Sequence, residues 1–319
     1  MPHDPPLPTR VPFISVVTPC FNEEGNVREM YEAIKNVFAG LPQYRYEHLF
    51  IDNASKDGTV RMLRSIAAAD RNVKVIVNAR NFGHVRSGYH AILQARGDAV
   101  IALACDFQDP PTLIPEFLRR WSDGARIVLG VKESSEESGI FYALRDRYYR
   151  LLARIADIDL VRQSTGFGCL DQSVVQELRR IDDPYPYFRG LLAEIGHEPS
   201  LVSFRQPERR RGISSQNFYT LYDLAFLGIV NHSKVPLRMA TMTGFGLALL
   251  SLLVAFTYLG YKLLFWDQFS VGIAPILIGF FFLTSVQLFF IGIVGEYIGS
   301  IYTQVRHHPH VFEKERINF

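Results

Sequence analysis

The sequence predicts an α/β domain built on a mostly parallel sheet flanked by helices, followed by an interfacial helix and a two-helix transmembrane hairpin. Three observations carry that prediction. Residues 13–205 alternate short, near-continuous apolar runs with amphipathic segments, the pattern of parallel strands covered on both faces. Two later stretches, Met239–Leu259 (MATMTGFGLALLSLLVAFTYL) and Val271–Val294 (VGIAPILIGFFFLTSVQLFFIGIV), contain no charged residue. Each is long enough, at about 1.5 Å per residue, to cross a hydrocarbon core of about 30 Å. A pair of buried core helices is the alternative, but two adjacent uncharged stretches of this length are rare in soluble domains. The link YKLLFWDQFS is short, and Tyr258, Tyr261, Phe265, Trp266 and Phe269 around it suit a membrane interface.

The elements follow in order. FISVVTP (13–19) is a short β-branched strand, and residues 23–40 place Val27, Met30, Tyr31, Ile34 and Phe38 at helical spacing. HLFID (48–52) is a strand and 57–69 a helix; VKVIVNA (73–79) is a strand and 85–96 a helix. AVIALA (99–104) is a strand followed by a helix from about Pro111, where proline suits a first turn. RIVLG (126–130) is a strand, and a long helix covers about 140–157. Residues 216–231 (QNFYTLYDLAFLGIVN) put Phe218, Leu221, Tyr222, Ala225, Phe226 and Ile229 on one face, which suits a helix lying on the bilayer or one packing on the soluble domain. The resulting divisions are a loose tail over 1–10, the α/β domain over 11–215, an interfacial segment over 216–236, the hairpin over 237–303 with spans at about 239–263 and 271–298, and a tail over 304–319.

A net charge of +2 gives no electrostatic argument for nucleic acid. Cys20, Cys105 and Cys169 are far apart without metal spacing and read as small apolar side chains in a reducing compartment. Residues 1–10 (MPHDPPLPTR) hold no apolar run of the secretory kind. Arg209, Arg210, Arg211, Lys234 and Arg238 precede the first span, and Arg306, Lys314 and Arg316 follow the second. The hairpin tip offers only Lys262, opposed by Asp267. The positive-inside rule therefore predicts a multi-pass protein of the cell (inner) membrane with the α/β domain and both termini cytoplasmic. RHHPH (306–310) reads either as a metal cluster or, preferably, as a membrane-proximal basic tail.

Candidate chemistry collects at strand ends. Pro19, Phe21, Asn22 and Glu23 follow the first strand; Asp52, Asn53, Ser55 and Asp57 the second; Asp106, Gln108 and Asp109 the fourth. Ligands of parallel sheets bind beyond the carboxyl ends of strands. Each loop alone also reads as turn or cap chemistry; their coincidence on one edge favours a binding pocket. No G-x-G-x-x-G and no Walker lysine occurs. His84 and His90 lack the i, i+4 pairing of metal ligands and read as polar surface or satisfied core residues.

PCFNEE, IDNASKDGT, NFG and DFQDPP, in that order at strand ends, resemble family 2 glycosyltransferases of the GT-A fold. STGFGCLD, PYFRGL, RRRGISSQNFY and HSKVPLR before a two-helix hairpin resemble the polyprenyl-phosphate members, which include dolichol-phosphate mannose synthases and bactoprenol glucosyltransferases. The likeness spans about residues 13–319. It implies an enzyme that moves one sugar, with inversion, from a nucleotide sugar (a UDP-sugar before other donors) to polyprenyl phosphate at the cytoplasmic face. It implies nucleotide contacts by Pro19, Phe21, Glu23, Asp52 and Asn53. Asp106 and Gln108 fall on the family's Asp-x-Asp-x-Gln metal loop, with Ala104 in place of the first acid. Mg²⁺ or Mn²⁺ would then rest on Asp106, Gln108 and substrate phosphates. Arg209 matches the family's Arg-x-x-Gly-x-Ser pattern, with Ser214 following, and stabilises phosphate charge. Arg210, Arg211 and Lys132 are further candidates for acceptor or phosphate contact, with plain membrane-surface charge the other role for Arg210 and Arg211. The resemblance is compatible with a homo-oligomer.

Two rivals stand beside this reading. A processive polysaccharide synthase usually carries a late Gln-x-x-Arg-Trp motif, whereas Arg120-Trp121 here comes early and follows Phe117 instead of Gln. A non-catalytic membrane scaffold keeping the fold would tolerate Ala104 and Asn53.

Overall fold

The computed structural model describes residues 10–132, 161, 164–181, 183–207, 235–265, 273–306 and 308–319. Among them the strands are β1 (Phe13–Cys20), β2 (Arg45–Asp52), β3 (Val73–Asn78), β4 (Ala99–Ala102), β5 (Ile127–Lys132), β6 (Ser164–Asp171), β7 (Ser200–Phe204) and β8 (Glu313–Ile317). They form one sheet in the order β7-β5-β6-β4-β1-β2-β3-β8. β1 runs parallel to β2 and β4, β2 to β3, and β5 to β7. β6 runs antiparallel between β4 and β5, and β8 antiparallel along β3.

Successive strand residues face opposite sides of the sheet, and both sides are apolar. Ile14, Val16 and Phe50 pack with α1 (Val27–Ala39), α2 (Thr59–Ala69) and α4 (Ile114–Ser122). Val17, Leu49, Ile51 and Val100 pack with α3 (His84–Gln94), α5 (Gln172–Arg180) and α6 (Phe188–Ile195). A 3₁₀ turn, Pro111–Leu113, opens α4. This double cover is why the central strands lack a polar alternate face. The three cysteines are free and buried.

Three strands, β6, β7 and β8, go beyond the sequence expectation. STGFGCLD forms β6, whose glycines mask its strand character. Gly168 is required there, because a Cβ would lie 2.2 Å from the Val128 carbonyl oxygen on β5. Residues 313–317 are not a tail but β8, a correction to the expected 304–319 division. EKERI carries little apolar signal, and charged side chains are usual on an edge strand.

The expected helix at 140–157 and interfacial helix at 216–231 lie outside the described residues. α7 (Val235–Leu264) and α8 (Ile273–Val305) are each long and apolar enough to cross a membrane. Neither apolar window is buried, so they are not core helices of a soluble globule. Leu249, Phe256, Phe280 and Phe289 lie more than half exposed, an apolar surface too large to leave in water.

Gly168→Ala should destabilise the sheet by about 1–3 kcal/mol. Thermal unfolding would show a midpoint lower by about 2–4 °C for each kcal/mol; an unchanged midpoint would mean that β5 and β6 yield freely at this crossing.

Candidate active site

The chain runs from β1 to β2 to β3 on one flank and then returns to β4 on the other side of β1. That reversal is a topological switch point, where the diverging loops leave a crevice beyond the strand ends. Asp52 pairs with Cys20 across β1–β2, and Ala102 with Val17 across β1–β4. Only β1 separates the ends of β2 and β4, which therefore lie about 10 Å apart at 4.7–4.9 Å per strand. The acidic loops expected at Asp52 and Asp106 share one rim with Pro19, Phe21 and Glu23.

Backbone amides and short side chains stitch the first two loops together. The Asn22 amide donates to Ser55 Oγ at 2.8 Å, and Lys56 N to Asn22 Oδ1 at 2.9 Å. Glu23 N donates to Thr59 Oγ1 at 2.9 Å, and Gly58 N to Glu24 Oε2 at 2.9 Å. Asn26 Nδ2 holds Glu23 Oε2 at 2.6 Å, while Phe21 remains exposed. Three of the four described non-glycine residues at positive φ lie on this rim: Asn22 (56°), Ala54 (62°) and Phe107 (61°). Left-handed backbone is costly for a residue as bulky as phenylalanine, and such conformations cluster at ligand sites.

Asp52 is fully buried. Its Oδ2 accepts from Ser55 N at 3.0 Å, but Oδ1 is buried without a partner among the described residues. Burial raises its carboxyl pKa above the ordinary 3.8, against the pull of hydrogen bonds from Ser55 and Ala54. A buried acceptor left open is a place for a ligand donor. Asn53 is engaged within the protein. Its Oδ1 accepts from Phe82 N at 2.9 Å and Asn78 Nδ2 at 3.2 Å, and its Nδ2 donates to Asn81 Oδ1 at 3.0 Å. It ties the β2 loop to the loop after β3, where a carboxylate could not make the donated bond.

In the third loop Asp106 and Asp109 are both buried. Gln108 N donates to Asp106 Oδ1 at 3.2 Å, and Ala104 N to Asp109 Oδ2 at 2.9 Å. Asp109 thus folds the loop back on the strand end. Ala104 offers no side-chain oxygen, and no group of three His, Cys, Asp or Glu side chains suited to a metal occurs among the described residues. This donor set fits a hard cation that draws most of its shell from water and substrate phosphates, since Mg²⁺ is commonly held through one or two carboxylates. Asp106, with Gln108, would hold it.

The antiparallel course of β6 brings Ser164 to the same rim. β5 and β7 end there too, at Lys132 and Phe204. Arg189, on the first turn of α6, donates through Nη1 to the Ser164 carbonyl at 2.9 Å. Sequence reasoning missed this cation, because only the direction of β6 assigns PYFRGL to the rim. Arg209, Arg210, Arg211 and Ser214 lie outside the described residues.

Residues 15–179 match the model of glycosyl transferase family 2. The chain belongs to that family. Within it, Bactoprenol glucosyl transferase of Shigella phage SfV is 32% identical over 297 residues, covering 93% of this chain and 96% of the relative. A Bacillus subtilis (strain 168) protein named Uncharacterized glycosyltransferase YkcC is 31% identical over 296 residues, 92% of this chain and 91% of its own length. Among solved structures, glucosyl-3-phosphoglycerate synthase from Mycobacterium tuberculosis in complex with Mn²⁺, UDP and phosphoglyceric acid is 20% identical, with a TM-score of 0.48 over 69% of this chain and 76% of that one. As a family 2 member the protein is a glycosyltransferase.

The raised Asp52 pKa sets the sign of a stability test. The folded state binds this proton more tightly than the unfolded chain does, so ionising the buried carboxyl costs stability as pH climbs above 3.8. Asp52→Asn keeps an oxygen for Ser55 N and removes the charge. Its thermal midpoint at neutral pH should equal or exceed that of the wild type, and the difference should close as pH falls toward 3.8. A large loss of stability at neutral pH would instead make the carboxylate a structural necessity.

Proposed function

We propose that this glycosyltransferase moves a single sugar from a nucleotide sugar, specifically a UDP-sugar, to polyprenyl phosphate at the cytoplasmic face of the membrane, with inversion at the anomeric carbon. One observation carries the reading. β8, which follows the second apolar helix, is hydrogen-bonded into the very sheet whose carboxyl rim bears Asp52 and Asp106. The rim and the bilayer segments are therefore parts of one short-tethered unit. The acceptor class is supported by the relatives named bactoprenol glucosyl transferase, matched over nearly their whole length. The cytoplasmic face rests on the basic residues flanking the hairpin.

In this reading each part of the rim has its own role. Phe21 offers a ring for base stacking, and the open Oδ1 of Asp52 accepts a donor of the nucleoside. Glu23 lies alongside, fixed by Asn26. Asp106 and Gln108 serve the diphosphate; a divalent cation bound there would neutralise the departing charge. Lys132, Arg189 and the Arg209–Arg211 run supply cations on the acceptor side.

The acceptor phosphate is already anionic at neutral pH, so its oxygen attacks the anomeric carbon with little need of a general base. One C–O bond forms, and the bond to the nucleoside diphosphate breaks. The protein's work is holding two anions together and stabilising the leaving group electrostatically.

The decisive assay incubates the purified full chain with radiolabelled nucleotide sugars, Mn²⁺ and a short polyprenyl phosphate. Labelled lipid carrying one sugar is expected; long labelled polymer would favour a processive synthase, and no labelled lipid from any donor would favour a scaffold. Asp106→Asn should lower transfer by about 10²-fold or more while leaving the thermal midpoint near that of the wild type. Asp52→Asn should weaken UDP binding about tenfold, the loss expected for one hydrogen bond to a charged group, as read by calorimetric titration.

A further inference from the structure

A second cluster of cations lies where the sheet domain meets the end of α8. A cavity of about 120 Å³ is lined by Arg86, Pro184, Tyr185, Thr303, Arg306 and His308. Arg86 stands on the first turn of α3, Thr303 on the last turn of α8, and Arg306 directly after it. None of the lining residues is acidic. The volume is several times the roughly 30 Å³ that a water occupies, enough for a tetrahedral anion.

Arg86 is the group that asks for a ligand. Its Nη2 donates to the Pro309 carbonyl at 2.8 Å, but its Nε is buried with no acceptor among the described residues. Burial, and then the neighbouring Arg80 charge, pull its pKa down, so the guanidinium is held where its own charge is disfavoured. Arg306 adds a second guanidinium, propped on the Tyr302 ring 5.4 Å away, and His308 an imidazole. A buried N–H donor and converging cations with no carboxylate on the wall match a phosphate, whose oxygens accept several charge-assisted bonds at once.

The depth of the cavity narrows the source. Thr303 and Arg306 mark the end of the α8 apolar window, the level at which lipid headgroups lie. We infer that the Arg86–Arg306–His308 cavity is a binding site for the phosphate ester of a lipid headgroup. Arg306 and His308 of the RHHPH run thereby belong to an anion site. The inference rests on α7 and α8 spanning the bilayer, not on sugar transfer.

Native mass spectrometry of the full chain in neutral detergent tests it with three probes: farnesyl phosphate, phosphatidylglycerol and uncharged diacylglycerol. The wild type should retain one or both phosphate lipids over diacylglycerol. Arg86→Gln and Arg306→Gln should each weaken that binding about fivefold, whereas Arg28→Gln, on the exposed side of α1, should not. Arg306 makes no hydrogen bond to the Pro309 carbonyl that Arg86 holds, so Arg306→Gln stays informative even if Arg86→Gln loosens the C-terminal segment. A loss in Arg306→Gln confined to farnesyl phosphate assigns the cavity to the acceptor headgroup; a loss for both phosphate lipids assigns it to headgroup phosphates in general. Unchanged affinity for both lipids in Arg306→Gln overturns the inference. Asp106→Asn should bind these lipids normally, so failure here is distinguishable from failure of the transfer reading.

Discussion

The register of β1 against its two parallel neighbours is the constraint on which the candidate site depends. Cys20 opposite Asp52 and Val17 opposite Ala102 fix where each strand stops. A slip of one residue would move the side chains of β1 to the opposite faces and misalign the loop after β1 with Asp52. The double apolar cover prevents this, since Ile14 and Val16 pack on one face and Val17 on the other. Core packing therefore holds the polar loops in place, and the ladder of Asn22, Glu23, Ser55 and Thr59 hydrogen bonds only refines their shape.

The C-terminal strap links this rim to the apolar hairpin of α7 and α8. Between the end of α8 and β8, the chain is pinned by Arg86 to Pro309, by Val311 in the interior, and by the Phe312 carbonyl to Ala79 N at 2.8 Å. Farther on, His90 meets Glu313 at 2.6 Å and Arg64 meets Glu315 at 2.6 Å. Asn318 Nδ2 donates to the Ala67 and Val73 carbonyls. These contacts grip α2, α3 and β3 together. Exposed ion pairs are individually weak, but the strap also completes the sheet edge, so pulling it away would leave β3 with unpaired backbone groups. The sheet is consequently held close to the end of α8, and the loop after β3 lies between the Asp52 side of the rim and the Arg86 cavity.

Much of this was legible in the sequence where one period dominated. β1 to β5 and the helices between them announce themselves as apolar runs and 3.6-residue spacing, because each is buried against a neighbour of the same kind. The loops after β1, β2 and β4 were legible because a parallel sheet sends all such loops to one edge. β6 was hidden by the glycines that let it pass close to β5. β8 was hidden because its pairing is made by backbone, and Glu313, Lys314, Glu315 and Arg316 show only charge. Arg189 and the Arg86 cavity could not be read at all: each depends on segments far apart in sequence, and no local pattern encodes that meeting.

Asn53 and Ala104, two rim positions without a carboxylate, have a common physical reading. Asn53 commits its amide to three loop contacts, one of them a donated bond that a carboxylate could not supply. Ala104 offers its backbone N–H to Asp109, so Asp109 is engaged in shaping the loop. The rim thus carries fewer negative charges than an all-acid version would. For the proposed transfer, which brings a nucleoside diphosphate and a lipid phosphate together, each absent carboxylate removes a repulsion that a cation would otherwise have to cancel. In the proposed reaction the charge balance would shift from acid-bound metal toward cations such as Lys132 and Arg189, and the one carboxylate of Asp106 would serve an ion that arrives with its substrate.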